Sequence, residues 1–390
     1  MKKIFHLHLR FIFSFLSVVG SLSSAFADSS IELVQSVPLE TTLAVPTIRH
    51  TQEVWLAMIR GAQRTIDLEE FYIESKPEEA LEPVLSEIQI AAARGVYVRI
   101  LVDAKFYKNY SQIPLKLSKI PNIEVKTIDF APAVQHAKFF VVDDSDSYVG
   151  SANFDWLALS HIHEVGLHVR DPSVSQKIES VFERDWERGV TVNPLPRTVS
   201  RPIAPESAST VASRSDILVM ASPPSQNPAG MPDSLSGIIR LIDSAQISLK
   251  IQQYQYSLRP SRGPGKWLEL DSAIRRAARR GVSVQILVDA VSLKAGKAAL
   301  EALASLENIQ VRTVKIPEWS GGRLEYARLI HSKYFTVDGA QSWVGTENWT
   351  ENYFTDSRNI GMIVNSTELT HSLDRIFNQV WESSYTSSVE

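Results

Sequence analysis

The feature that most constrains this 390-residue chain is a short motif that occurs twice. Both copies read H-x-K-x4-D followed by G-[ST]-x-N. The copies consist of His136, Lys138, Asp143 and Gly150-Ser-Ala-Asn153, then His331, Lys333, Asp338 and Gly345-Thr-Glu-Asn348. The residues between each Lys and its Asp are mostly apolar and β-forming, which predicts that both motifs lie on strands.

Residues two apart on a strand point to the same face, so each His should project together with its Lys. An imidazole beside an ammonium group suits a phosphodiester, because the Lys can hold the anionic oxygens while the His attacks phosphorus or protonates the leaving group. Hydroxyl and amide groups can donate further hydrogen bonds to those oxygens. The candidate phosphate-binding residues are Ser151, Asn153, Thr346 and Asn348.

The repeat extends well beyond the motif. Residues 91–104 closely match residues 277–290, and Gly95 and Gly281, which occupy the same place in each copy, are 186 positions apart. Each copy predicts the end of a helix, a Gly at its C-terminus and a buried strand. Helices that alternate with strands predict an α/β fold, in which two α/β/α domains each contain a mixed sheet flanked by helices.

The first 27 residues are typical of a secretory signal peptide, with a basic start, an apolar stretch and a small-x-small cleavage site. The predicted domains are residues 28–189 and residues 215–390, joined by a Pro-rich linker at residues 190–214. Export to the periplasm or the medium is therefore expected.

Charge and cysteine content add two constraints. The net charge is −4, and removal of residues 1–27 takes away three basic residues, leaving 37 Lys and Arg against 44 Asp and Glu, or −7. Such a surface gives no general attraction to nucleic acid, although it leaves room for a local basic cleft. With no Cys, the exported chain has no disulfides and must depend on its core for stability.

The paired motifs resemble the phospholipase D superfamily. The flanks at 150–156 and 345–355 look like the branch that contains the animal lysosomal phospholipase-D-like 5′-exonucleases and poxvirus relatives, and the similarity runs from about residue 45 to 364. The resemblance implies that the two domains pack through their sheets around one shared active site. It also implies that a single chain is active as a monomer, and that it needs neither a metal nor another cofactor.

In that superfamily an acidic residue downstream of the motif orients a catalytic His. The resemblance therefore implies that Glu164 orients His136 and favours its imidazolium form, whereas Asn359 lies beside His331 without adding charge. On this basis His331 is expected to be the nucleophile and His136 the general acid and base. Asp143 and Asp338 complete the signature, and a structural role at the strand end is favoured for them over direct chemistry.

Two substrate classes remain open for the predicted phosphodiesterase. A phospholipid headgroup, with peripheral membrane contact, is slightly preferred because the chain is acidic and exported. The alternative is a single-stranded nucleic acid cut from its 5′ end. A non-catalytic binding protein on the same fold is a third hypothesis, which a His136→Ala variant with full biological effect would support.

Aromatic residues and one loop surround the motifs. Most of the aromatics are expected to fill the core or line the cleft, and the rest to stack a base or anchor an acyl chain. They are Trp156, Trp319, Tyr326, Tyr334, Trp349, Tyr353 and Phe354. The loop at 317–329, which leads into His331, is a candidate specificity element.

Overall fold

The computed structural model describes residues 30–193 and 216–389, here called the N-terminal half and the C-terminal half. The predicted signal peptide and residues 194–214 of the predicted linker lie outside the described residues. Within these two ranges, no helix has the length and apolar character needed to cross a bilayer.

The N-terminal half contains eleven strands and six helices in its described residues. The strands are β1 (Ile31–Ser36), β2 (Arg49–His50), β3 (Thr65–Glu70), β4 (Ile73–Glu74), β5 (Tyr97–Asp103), β6 (Ile123–Ile128), β7 (Phe139–Val142), β8 (Asp146–Gly150), β9 (Phe154–Asp155), β10 (Glu164–Val169) and β11 (Val190–Thr191). The helices are α1 (Thr51–Gly61), α2 (Glu82–Ala93), α3 (Ala104–Tyr107), α4 (Gln112–Leu117), α5 (Trp156–Ser160) and α6 (Pro172–Arg188).

The C-terminal half repeats this plan with eight strands and five α-helices in its described residues. The strands are β12 (Ile217–Ser222), β13 (Ser248–Gln253), β14 (Ser283–Asp289), β15 (Ile309–Val314), β16 (Tyr334–Val337), β17 (Gln341–Gly345), β18 (Asn359–Asn365) and β19 (Thr386–Ser388). The helices are α7 (Ser234–Ser244), α8 (Glu269–Arg279), α9 (Leu293–Ala304), α10 (Asn352–Thr355) and α11 (Thr367–Trp381), with 3-10 turns at Pro224–Gln226 and Ala290–Ser292.

Each half is built on one mixed sheet. The first has the order β11-β6-β5-β3-β7-β8-β10-β1-β2, and the second has the order β12-β18-β17-β16-β13-β14-β15-β19. In both, a parallel trio (β3, β5 and β6, or β13, β14 and β15) adjoins an antiparallel run that carries the duplicated motif. The predicted α/β architecture with two mixed sheets is confirmed.

The helices divide between two kinds of core. Helices α1 and α2 pack with the outer face of the first sheet, and α7 and α8 do the same in the second half. Helices α6 and α11 instead join strands of both halves in one continuous cluster of buried apolar residues. Because that core crosses from one half to the other, it fixes the two sheets relative to each other.

Local signals in the repeat act as predicted. Gly95 and Gly281 follow α2 and α8 with φ of +97° and +89°, a left-handed conformation that glycine adopts without strain. A long helix closes the motif region of each half, α6 at Pro172–Arg188 and α11 at Thr367–Trp381. Strands β10 and β18 were not predicted, and Val190 and Thr191 of the predicted linker pair with β6 as β11.

Candidate active site

Each histidine of the duplicated motif lies immediately before a central strand of its own sheet. His136 precedes β7, which lies between β3 and β8, and His331 precedes β16, which lies between β13 and β17. The sequence predicted that both histidines lie on strands, but the His-x-Lys segment comes just before each strand rather than within it.

A repeated aspartate fixes the chain at both histidines. Asp103 ends β5, and its Oδ2 accepts a hydrogen bond of 2.7 Å from the N–H of Gln135. Asp289 ends β14, and its Oδ2 accepts one of 3.0 Å from the N–H of Ile330. The sequence showed both aspartates at equivalent repeat positions, but it gave no indication that they hold the residue before each His.

The two halves exchange backbone hydrogen bonds at these same segments. The N–H of His136 donates to the carbonyl of Arg358 at 2.8 Å, and the N–H of His331 donates to the carbonyl of His163 at 2.9 Å. The segment that leads into each motif therefore lies beside the segment that leads into β18 or β10 of the other half. The histidines thus meet at the junction of the two halves, as the predicted shared site requires.

The side chains that bind the imidazoles also come from the opposite halves. Asn359 Oδ1 lies 3.0 Å from His136 Nδ1, and Glu164 Oε1 lies 2.8 Å from His331 Nδ1. The expectation that Glu164 orients His136 and that Asn359 lies beside His331 was wrong. The physical reason is that β8 lies between β7 and β10 in the first sheet, so two strand spacings, about 9–10 Å, separate Glu164 from the motif of its own half.

Hydrogen bonds fix the orientation of the Asn359 amide. Its Nδ2 donates to the carbonyl of Tyr353 at 2.7 Å and to the carbonyl of Ser357 at 3.3 Å. Its Oδ1 therefore faces His136, which must donate from Nδ1. Of the two neutral tautomers, the one that satisfies this bond has a free lone pair on Nε2.

Each Lys of the motif turns back onto its own His. Lys138 Nζ donates to the carbonyl of His136 at 2.6 Å, and Lys333 Nζ donates to the carbonyl of His331. An aromatic ring lies near each ammonium group, that of Phe71 at 5.2 Å from Lys138 and that of Tyr254 at 5.4 Å from Lys333. The two cations are therefore held in fixed places beside the two imidazoles.

Burial lowers the pKa of all four basic groups, the two lysines and the two histidines. It lowers the pKa of Lys138 to about 7 and that of Lys333 well below its usual range. Burial and, after it, repulsion from the two lysines also lower the pKa of both His136 and His331 well below the usual value. An anionic phosphate in the cleft would offset that repulsion and favour the charged forms.

Buried carboxyl groups surround the lysines, and sequence reasoning identified only Glu164 among them. Burial raises the pKa of Glu164, Asp155 and Glu347 to about 7 and that of Glu70 well above the usual value. After burial, attraction to these four groups acts on Lys138. Sequence signals exist for two of the remaining three carboxyl groups. Glu70 ends the repeated strand before Phe71, and Glu347 is the variable residue of the second G-[ST]-x-N.

The motif aspartates are away from this chemistry, at the far ends of β7 and β16. Asp143 accepts hydrogen bonds of 2.7–2.9 Å from the N–H groups of residues 63, 64 and 65, which enter β3. Asp338 does the same for residues 246, 247 and 248, at 2.8–2.9 Å. This geometry agrees with the structural role that the sequence favoured for them, with the carboxylates capping the neighbouring strand entrance.

The candidate phosphate-binding residues lie at the junction, but most are already hydrogen-bonded. Ser151 Oγ accepts from the N–H of Val165 at 3.1 Å, and Thr346 Oγ1 donates to Asn359 Oδ1 at 3.0 Å. Within the described part of the chain, the side-chain oxygens of Asn153 and Asn348 are buried and have no hydrogen-bond partner. Contact of these four residues with phosphate therefore stays a prediction.

Aromatic rings contact the imidazoles edge-on. Phe71 and Tyr353 lie 5.0 and 4.8 Å from His136, and Tyr254 lies 4.8 Å from His331. Among the aromatics selected from the sequence, four are buried in the cores, namely Trp156, Tyr334, Trp349 and Phe354. The prediction that most of them fill the core or line the cleft is confirmed for these four and for Tyr353, which contacts His136.

The loop at 317–329 crosses from the C-terminal half onto the N-terminal half. Ser320 N–H donates to Glu40 at 2.8 Å, and Arg328 Nη1 donates to the carbonyl of Leu39 at 2.6 Å. Leu324 packs against the N-terminal core, and Tyr326 is 78% exposed. The loop therefore covers one flank of the junction, and its role in specificity stays a prediction.

The comparisons with known proteins agree with this geometry. A sequence profile of the family described as "Cardiolipin synthase, PLD-like domain" matches residues 55–186 and 238–381. Each matched segment contains one His-x-Lys motif, and together they cover most of the chain.

Two of the similar proteins have names that point to different substrates. The chain is 28% identical to "5'-3' exonuclease PLD3" of Rattus norvegicus, over 92% of this chain and 80% of that protein. It is also 28% identical to "Phospholipase D Y" of Dictyostelium discoideum, over 93% of this chain and 92% of that protein.

A solved structure supports the fold. The phosphatidylserine synthase of Haemophilus influenzae Rd KW20 superimposes with a TM-score of 0.61 at 14% identity, covering 93% of this chain and 88% of that chain. At that identity the likeness concerns the arrangement of the two halves alone.

Proposed function

Because the chain belongs to the family of phospholipase-D-like domains, we propose that it is a phosphodiesterase that forms a phosphohistidine on His136. The observation that carries this assignment is the crossed pairing of the imidazoles. Asn359 accepts from Nδ1 of His136 and leaves its Nε2 free to attack, whereas Glu164 gives His331 a carboxylate partner that favours its imidazolium form once an anionic phosphate offsets the burial and lysine repulsion that lower its pKa. The roles expected from sequence are thereby exchanged.

The reaction would take two steps on one phosphorus atom. His136 Nε2 attacks phosphorus, the bond to the leaving oxygen breaks, and His331 gives that oxygen its proton. His331 then takes a proton from water as the water oxygen attacks phosphorus, and the phosphorus–nitrogen bond to His136 breaks. Lys138 and Lys333 would balance the charge of the non-bridging oxygens throughout.

For the substrate, we propose single-stranded nucleic acid, hydrolysed from its 5′ end. The support comes from the relatives named as 5′-3′ exonucleases, which align with nine-tenths of the chain. The aromatic rings beside His136 add to it, because such rings could stack a base of this substrate. The acidic net charge, which favoured phospholipid at first, does not describe this local surface.

A phospholipid headgroup is the second candidate substrate. The relative named "Phospholipase D Y" favours it, since the two chains align over nearly their whole lengths at the same identity. Peripheral contact with a membrane belongs to this alternative. Export through residues 1–27 is compatible with both, and N-terminal sequencing of the secreted protein should then give Asp28 as the first residue.

A paired turnover assay tests the proposal. Residues 28–390 would be given a 5′-hydroxyl single-stranded oligonucleotide and phosphatidylcholine vesicles, both with EDTA. We expect stepwise shortening of the oligonucleotide, loss of that activity in His136→Ala, and full activity in the matched control His371→Ala, whose His is exposed on α11. Release of choline with an intact oligonucleotide would transfer the proposal to phospholipid.

A further inference from the structure

Four aromatic side chains of the N-terminal half form a continuous group that begins at the catalytic junction. This aromatic cluster consists of Phe71, Tyr72, Phe106 and Tyr110. The ring of Phe71 lies 5.0 Å from that of His136 and 3.9 Å from that of Phe106. Tyr72 and Tyr110 continue the group away from His136, with their rings 4.5 Å apart.

Three of these rings share nearly one plane direction. The planes of Phe106 and Tyr110 differ by 5°, those of Tyr72 and Phe106 by 18°, and those of Tyr72 and Tyr110 by 22°. All four side chains are only partly buried, so the cluster is not part of the closed core. A planar base that approaches this cluster would therefore meet aromatic rings whose planes are already nearly parallel.

Hydrogen bonds hold Tyr72, one member of the cluster, in place. The Tyr72 hydroxyl donates to Asp155 Oδ2 at 2.6 Å and accepts from Asn153 Nδ2 at 3.2 Å. Asn153 belongs to the first G-[ST]-x-N segment, so the cluster and the phosphate-binding candidates are directly connected. A ring that is fixed before binding loses little conformational entropy when it accepts a ligand.

We propose that the aromatic cluster is a base-stacking subsite for the nucleotide next to the scissile phosphate. The proposal deepens the function above and rests on a nucleic acid substrate. A base on Phe106 and Tyr110 would leave its phosphate near His136 and Lys138. Stacking of this kind tolerates any base, because every base has a π-face.

The surroundings of the cluster favour a nucleotide over an acyl chain. Lys105 and Lys108 are exposed on the same short segment as Phe106 and Tyr110, where they can meet a phosphate backbone. The hydroxyls of Tyr72 and Tyr110 also place polar atoms among the rings. An acyl chain carries neither a negative charge that the lysines could bind nor a planar group that could stack on the rings. A nucleotide has both, so it fits this surface better.

The position in the C-terminal half that is equivalent to the aromatic cluster is a cavity. There a cavity of about 470 Å³ is lined by Gln255, Tyr256, Val291 and other residues. Gln255 follows Tyr254 as Tyr72 follows Phe71, and Val291 follows Asp289 by two positions as Lys105 follows Asp103. The chain therefore offers stacking faces on one flank of the junction, which gives a bound strand a defined direction.

The test measures binding without turnover. In the His331→Ala background, oligonucleotides with 2-aminopurine at the first, second or third position from the 5′ end would be titrated with protein. We expect fluorescence quenching at one of these positions, and a Kd about 5- to 150-fold weaker after Tyr110→Leu. Tyr110→Phe should keep the affinity within about twofold, since it keeps the ring.

Two controls separate stacking from structural damage. Tyr107→Leu changes the neighbouring aromatic of α3, which packs on the core outside the cluster, and it should leave Kd unchanged. An oligonucleotide that is abasic at the quenched position should bind Tyr110→Leu and the parent protein equally. Equal weakening of the abasic and the intact oligonucleotide by Tyr110→Leu would overturn the proposal.

The outcomes also distinguish this inference from the proposed function. If the protein with both histidines shortens the oligonucleotide but Tyr110→Leu binds it normally, the function stands and the subsite is wrong. If Tyr110→Leu slows choline release from vesicles and has no effect on oligonucleotide binding, the cluster serves a lipid instead, and the subsite is again overturned.

Discussion

Glu164 Oε1 lies 2.8 Å from His331 Nδ1, although the two residues belong to different halves of the chain. The reverse pair, Asn359 and His136, is separated by 3.0 Å. Each half therefore supplies the imidazole of one half-site and the orienting side chain of the other. Neither half holds a complete His pair with its partners, so the paired arrangement needs both halves.

Replacing Glu164 should affect the departure of the leaving group. Glu164→Gln removes the carboxylate that favours protonated His331, and we expect kcat/KM for an oligonucleotide to fall by about 10²-fold or more, because general acid catalysis typically contributes this much. A nitrophenyl ester, whose leaving group needs no proton, should lose much less activity.

The nucleophile provides the control for that experiment. In His136→Ala, kcat/KM should fall equally for the oligonucleotide and for the nitrophenyl ester, since attack on phosphorus is required for both. If Glu164→Gln lowers kcat/KM for both substrates to the same degree, Glu164 acts on something other than the proton of His331.

The motif aspartates should matter for stability rather than for chemistry. Asp143→Ala leaves three backbone N–H groups without their acceptor, so we expect a loss of about 1–3 kcal/mol in the free energy of unfolding. Asp338→Ala should behave alike. Urea unfolding and kcat/KM on folded protein measure the two effects, and an inactive variant of normal stability would contradict this role.

A buried ion pair between Arg358 and Asp185 should stabilise the contact of the C-terminal half with the N-terminal half. Arg358 Nε and Nη2 donate to the carboxylate of Asp185 at 2.5 and 3.0 Å, and both side chains are fully buried. Arg358→Met would leave the buried Asp185 carboxylate with the longer contact of 3.6 Å to the partly exposed Arg188, at a cost of about 3–5 kcal/mol.

The double variant Arg358→Met/Asp185→Leu should regain most of that stability, because it removes both charges. Thermal unfolding of the four proteins in this cycle gives the result. A double variant as unstable as the single one would show that the other hydrogen bonds of Arg358, to the carbonyls of Ser222 and Gln226, dominate.

Activity should decline on the alkaline side of neutrality. Burial lowers the pKa of Lys138 to about 7, so its ammonium group is present below that pH and is lost above it. The lowered pKa of His136 keeps the nucleophile neutral well into the acid range. Burial also lowers the pKa of His331 and of Lys333, whose charged forms are lost on the same side, so a profile of kcat/KM should fall at least tenfold per pH unit above about 7.

Lys138→Arg keeps a positive charge at every accessible pH, so its alkaline decline should be shallower than that of the wild type, and the part that remains reports His331 and Lys333. A wild-type profile that stays level up to the ordinary range of lysine, about pH 10, would show that Lys138 is not deprotonated in the free enzyme.

The sequence predicted the two sheets and the residues of the shared site because those signals are local. The motif strands, the Gly that follows each helix and helix α6 all depend on neighbouring residues in the chain. The pairing of Glu164 with His331 depends on strand order and on the contact between halves, which no spacing encodes. Strand β10 was missed for the same reason, since its pairing with β8 and β1 joins residues that are distant in the chain.

The aromatic cluster and the additional carboxylates were missed for a related reason. Phe71 and Tyr72 follow β3, whereas Phe106 and Tyr110 follow β5, and only the parallel pairing of those strands brings them together. Asp155 and Glu347 are ordinary acidic residues in the sequence. Asp155 is brought beside Lys138 by the packing of the N-terminal half, and Glu347 approaches it only once both halves are assembled.

The most direct test of the crossed site is to find which histidine carries the phosphoryl group. An oligonucleotide labelled at its first phosphodiester would be mixed with protein, denatured at alkaline pH within the first turnover and digested with trypsin. Cleavage after Lys and Arg places His136 in a peptide of residues 127–138 and His331 in one of residues 329–333. We predict label in the first peptide, and label in the second would contradict the assignment of His136 as nucleophile and His331 as acid.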